Sequence, residues 1–137
     1  MEARENILKI DLCHGASEVS FLIFAYTKIN GEMMPEQTNK ILLRDAVSFQ
    51  EGSIVSRQIL KKPNGNITLF AFDKEQSLTE HTSPFEAVVN IIAGEMEIKI
   101  GGVPHKVMEG EIIILPPNIP HGLVAKQKSK MLLTMIK

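Results

Sequence analysis

From residue 48 to the C-terminus, short runs of apolar and β-branched residues alternate with clusters of Gly, Pro and Asn. Strands bounded by turn signals at this close spacing build sandwiches and barrels, and leave no room for a long helix. "SIVSRQILKK" (53–62) ends at "PNGN" (63–66), where Asn64-Gly65 suits the positive φ angles of a tight hairpin. "ITLFAFD" (67–73) returns from it, and "AVVNIIA" (87–93) passes through Gly94-Glu95 into "MEIKI" (96–100). There Met96, Ile98 and Ile100 alternate with Glu97 and Lys99, the period of a strand with one buried face. Gly101-Gly102 turns the chain into "VPHKVM" (103–108), and "EGE" (109–111) turns it again into "IIILP" (112–116). "PPNIP" (116–120) is too proline-rich for a central strand. "HGLVAK" (121–126) and "MLLTMI" (131–136) complete the series.

The first 47 residues lack this rhythm. "LKIDL" (8–12) and "VSFLIFAY" (19–26) each suit a strand, while Ser17 equally suits the start of a helix. We expect residues 1–47 to form an N-terminal extension packed on the barrel, and 48–137 to form the barrel domain. A chain of 137 residues supports one core without staples. Its single cysteine, Cys13, rules out an intrachain disulfide and a cysteine-based zinc site, and fits a cytoplasmic address. Fifteen basic and 16 acidic residues give a net charge of −1, so no nucleic-acid partner is expected. The apolar run "FLIFAY" (21–26) is far shorter than the about 20 residues a membrane helix needs, so no membrane association is expected.

Two half-motifs then carry a resemblance. His81 and Gly94 stand thirteen residues apart around "AVVNIIA", and "GEIIILPPNIPH" (110–121) presents Gly110, Pro116, Asn118 and His121 in order. Together with the strand rhythm, this resembles the cupins, in particular small single-domain bacterial cupins of the cupin_2 type. The resemblance implies an all-β fold, a single jelly-roll barrel, also called a double-stranded β-helix. It also implies a homodimer, an expectation shared by "AVVNIIA" and "MLLTMI", which are apolar on both faces and need cover on both. Asn118 stands where the family has glycine; asparagine best substitutes there because it tolerates left-handed backbone.

The resemblance implies a metal site of three histidines and a glutamate inside the barrel. Of these, this chain keeps His81 and His121. Ser83 stands at the second histidine position, Ala87 at the glutamate's place, and Ala125 at the asparagine of the second motif. Glu86 is one residue out of step, which turns it to the other face of its strand, and Glu80 is turned from His81 in the same way. His105, alternating with Val107, or Glu86 is the donor that would complete a metal set with His81 and His121. We therefore expect no tightly bound cofactor; a metal, if held, is a divalent Fe, Mn, Ni or Zn ion. The favoured reading is a small-molecule pocket inside the barrel, formed by Phe70, Phe72, His81, Ser83, Val89, Ile91, His121 and Leu123. The alternative is a metal-dependent oxygenase or isomerase of the cupin type, and a third is a domain whose histidines serve only internal hydrogen bonding.

Overall fold

The computed structural model of the protein describes residues 26–29, 32–35 and 40–137. The chain divides into two units, Met1–Asn39 and Lys40–Lys137. Within the first, Tyr26–Ile29 (β1) and Glu32–Pro35 (β2) pair antiparallel. The readings of "LKIDL" and of most of "VSFLIFAY", with Cys13 and His14, fall outside the described residues.

The second unit holds nine strands: Ile54–Lys62 (β3), Gly65–Phe72 (β4), Ser77–His81 (β5), Glu86–Ala93 (β6), Glu95–Ile100 (β7), Val103–Met108 (β8), Ile112–Leu115 (β9), His121–Ala125 (β10) and Ser129–Ile136 (β11). They form two antiparallel sheets, ordered β5-β10-β7-β8 and β3-β4-β11-β6-β9. From β4 to β7 the chain changes sheet at each step, which is jelly-roll connectivity. Alternation sets the two faces. Phe72, Ala87, Val89, Ile91, Met96, Ile98, Leu115, Leu123, Ala125 and Met131 point between the sheets and make the main core.

The larger sheet also has a covered outer face. Leu69 and Ala71, wholly buried, meet Val47 there, with Ala46, Val55, Ile59, Ile92 and Leu132 around them. Lys130 is buried beside this cluster; its Nζ donates to the Arg44 carbonyl and lies 4.9 Å from the centre of the Phe49 ring. Residues 40–49 are therefore fastened to the sheet by an apolar contact and by a cation held on a carbonyl and a ring. Just past the same end of β4, Asp73 accepts backbone N–H bonds from Gly52 and Lys74, and these hold its carboxyl below the usual carboxylate range, with Lys128 adding to the effect.

The turns separate two kinds of glycine. Gly101 and Gly102 both have positive φ, 55° and 85°, and Ile100 pairs with Val103 across them, so the expected glycine hairpin is present. The β3–β4 hairpin forms one residue earlier than expected. Lys62 pairs with Gly65, leaving Pro63 and Asn64 as the loop, and neither Asn64 nor Gly65 has positive φ. Pro63 supplies the fixed negative φ that opens an ordinary turn, and a bulge between Gln58 and Leu60 absorbs the extra twist. Gly65 serves packing instead: a Cβ there would stand 2.3 Å from the Met135 carbonyl oxygen on β11.

Candidate active-site pocket

Two loops and two strand ends build the site. Asn118 adopts the left-handed conformation (φ 61°), as its place in the motif requires, and its N–H donates to the Ser83 carbonyl at 2.7 Å. That bond ties the turn before β10 to the loop before β6. The Gly101 N–H donates to the Pro120 carbonyl at 2.8 Å and fixes the same turn to the β7–β8 hairpin. His121 then enters β10 directly opposite His81 on β5 and Ile100 on β7. Next to it, Gly122 lets β5 come close: a Cβ would meet Glu80 N and the Leu78 carbonyl oxygen, each at 3.2 Å. The two imidazoles lie with ring centres 4.6 Å apart, at 65° to each other.

Each ring is tethered in the same way. His81 Nδ1 lies 2.8 Å from the Thr79 carbonyl oxygen, and His121 Nδ1 lies 2.9 Å from that of Ile119. A carbonyl can only accept, so both Nδ1 atoms carry the proton. In neutral rings both Nε2 atoms are then bare lone pairs, on the ring edge turned away from the tether, and no described group bonds to either. Ser83 Oγ accepts from the Phe85 N–H at 3.2 Å, which leaves its own proton free to donate.

These three side chains stand around a cavity of about 70 Å³. His121, 5% exposed, belongs to its inner wall, whereas His81 is exposed at the mouth. Ala87, Leu115, Leu123 and Met131 make the buried part of the lining; Phe70, Leu78, Leu133 and Met135 make the half-buried part. A larger cleft of about 520 Å³ lies along Ile41–Arg44, Ile92, Ala93 and Glu109, on the outer face. It contains no histidine, so the barrel cavity is the better-equipped site.

Of the pocket residues expected from the sequence, Phe70, His81, Ser83, His121 and Leu123 line the cavity together. Phe72, Val89 and Ile91 do not. All three are wholly inaccessible and fill the core beyond the cavity's floor. Alternation identifies the inward face of a strand but not the depth at which packing closes. The structure adds Leu78, Ala87, Leu115, Met131, Leu133 and Met135.

The additional metal candidates stay apart. Glu86 is exposed at the start of β6, opposite Ile136, while its neighbour Ala87 faces the cavity. His105 sits opposite the inward Ile98 but is itself exposed on the small sheet's edge strand β8, and does not line the cavity. Among the described residues no three His, Cys, Asp or Glu side chains converge. Two imidazoles and a hydroxyl do not fit a tightly held transition-metal ion, which takes three or four nitrogen, oxygen or sulfur donors.

Two antiparallel sheets packed face to face, with a small, mostly apolar pocket between them, define a jelly-roll barrel. The cupin-domain family matches residues 68–137, and the chain belongs to that family. A conserved protein of unknown function from Streptococcus pyogenes is 34% identical, with a TM-score of 0.70 over 82% of this chain and 96% of that one. A cupin 2 conserved barrel domain protein from Leptotrichia buccalis is 40% identical, with a TM-score of 0.65; the match covers 69% of this chain and 46% of that chain. An RmlC-like cupin from Desulfovibrio desulfuricans is 26% identical, with a TM-score of 0.65 over 74% and 97%. Among curated proteins none matches. No helix among the described residues is long and apolar enough to cross a membrane.

Proposed function

We propose that this cupin binds a small molecule inside its barrel, with His81, His121 and Ser83 orienting the ligand and the apolar lining taking the rest of it. The supporting observation is the pair of tethered imidazoles standing against a cavity of about 70 Å³. A protein cavity of roughly 150 Å³ holds the six carbons of benzene, so this one, at about 70 Å³, encloses about three non-hydrogen atoms, and its open mouth beside the exposed His81 admits one or two more. Small metabolites in that size range, screened by thermal unfolding, should raise the melting temperature. A ligand at about a hundred times its dissociation constant stabilises the folded state by about 2.7 kcal/mol, which is several degrees for a domain of this length. Filling the cavity with Leu123→Phe should abolish the shift while leaving a folded protein. If no compound in the panel shifts the wild type, the histidines serve internal hydrogen bonding and the binding reading fails. The metalloenzyme alternative would need a third donor that neither His105 nor Glu86 brings to the cavity.

We also propose a homodimer formed through the outer face of the larger sheet. β9 is an edge strand that pairs only with β6, and its Ile112 and Ile114 are 60% and 52% exposed. Val88 lies opposite Ile114, and Ile136, 54% exposed, continues the patch on β11. β9 brings no charged side chain to the patch, and Glu86, exposed opposite Ile136 at the head of β6, stands at its rim where a second copy leaves it in water. Sedimentation at micromolar concentration should give a dimer, and Ile114→Glu should give a monomer. A monomeric wild type overturns it.

A further inference from the structure

The polar groups of the pocket are few, and each has a fixed sense. Two Nε2 atoms accept, because both Nδ1 protons are committed to Thr79 and Ile119 carbonyls. One hydroxyl is free to donate, because the Phe85 N–H occupies one lone pair of the Ser83 oxygen and no described bond uses its proton. No lysine, arginine, aspartate or glutamate lines the cavity. The nearest charged groups on the flanking strands, Glu80 on β5 and Glu97 and Lys99 on β7, line a groove on the opposite face of that sheet. Glu86 is exposed at the head of β6.

A ligand that satisfies this set offers two hydrogen-bond donors and one acceptor on a compact neutral head, with a short apolar tail. A primary carboxamide has that pattern: two N–H bonds for the two imidazoles and one carbonyl oxygen for the Ser83 hydroxyl. A carboxylate of the same shape has acceptors only and would turn an oxygen towards a lone pair on each ring. Leaving such groups unmatched in a buried site is what gives polar pockets their discrimination between isosteres. We infer that the barrel site is selective for small primary carboxamides, of about three to five non-hydrogen atoms, over the isosteric carboxylates. This rests on the small-molecule reading above and names its ligand class.

The test compares propionamide, propionate and N,N-dimethylpropionamide, titrated into full-length wild-type protein and followed by amide chemical-shift perturbation. The pH is about 8.5, where ordinary imidazoles are neutral. A ligand this small binds with a dissociation constant on the order of millimolar. Propionamide should bind at least about tenfold more tightly than propionate, the ratio that loss of a matched hydrogen bond gives. The dimethyl compound, with no donor, should show no saturable binding. Ser83→Ala and His121→Phe should each weaken propionamide by about tenfold. The wild-type comparison stands even where a variant fails to fold. Propionate binding as well as propionamide overturns the selectivity, as does a His121→Phe protein that folds and binds propionamide unchanged. If propionamide fails while another compound in the thermal screen binds, the carboxamide inference falls and the small-molecule reading stands; if nothing binds in either experiment, both fall.

Discussion

The double variant Ser83→His, Ala87→Glu should bind zinc or nickel in near-unit stoichiometry, and the metal should survive dialysis against a mild chelator. Both positions line the cavity that already contains His81 and His121, so the new donors converge where two imidazoles wait with free Nε2 atoms. Structural zinc held by four protein ligands is worth about 10–16 kcal/mol, or about 3 kcal/mol for each donor on an even split. Two added donors are then worth roughly 6 kcal/mol, about ten-thousandfold in affinity at about 1.4 kcal/mol per tenfold. A loss accompanies the gain in the metal-free protein. A carboxylate at residue 87 sits among buried apolar groups, and histidine at 83 gives up the bond from the Phe85 N–H. The metal-free double variant should therefore melt below the wild type and recover when zinc is added. By contrast, Glu86→Gln and His105→Ala should leave the metal affinity of that variant unchanged, since both side chains are exposed and outside the cavity. A folded double variant with no gain in affinity would show that Ala87 does not occupy the place from which a side chain reaches the histidine pair.

That experiment also marks how far the sequence could be read. Period-two alternation is a property of the backbone, so "MEIKI" and "HGLVAK" declared their inward faces, and Ala87 rather than Glu86 is the one that faces the cavity. The two motifs put His81 and His121 at inward positions, which implies a pair facing across the barrel; the structure instead makes them neighbours on adjacent strands of one sheet. Strand β5 was not legible as a strand. Of Ser77–His81 only Leu78 is apolar, because an edge strand touching one neighbour and little core has no reason to alternate. Cavity depth was not legible either, since Phe72 and Phe70 share a face and differ only in how tightly the facing sheet closes over them. The hairpin at Pro63-Asn64 was displaced for a related reason. Asn64-Gly65 has the local chemistry of a turn, but Gly65 is required by the approach of β11 at Met135 and Ile136, far away in sequence. Local signals yield when a distant strand needs the same glycine.

Gly94→Ala should be the most damaging single methyl group in the barrel, lowering stability by about 3–7 kcal/mol. Gly94 is the one residue between β6 and β7, and there the chain leaves one sheet and enters the other. Its φ is +83°, a conformation that costs an L-residue about 1–3 kcal/mol. In addition, a Cβ would stand 2.4 Å from the Lys128 carbonyl oxygen and 2.5 Å from Ser129 Oγ. Ser129 is wholly buried; its Oγ accepts the Glu95 N–H at 3.0 Å and reaches the Glu95 and Gln127 carbonyls at 2.9 and 2.8 Å. The methyl group must displace that hydroxyl and the start of β11 with it, and overpacking of this kind costs about 1–3 kcal/mol beyond the strain. A lost buried hydrogen bond adds about 1 kcal/mol more. Gly102→Ala supplies the control, because its φ is +85° but nothing lies within 4 Å of the added Cβ. Urea denaturation of the two variants separates the terms: Gly102→Ala reports the left-handed strain alone, and the difference reports the steric clash at the corner. Equal losses in the two would show that β11 yields freely to the methyl group, and that Ser129 does not hold the corner between the sheets.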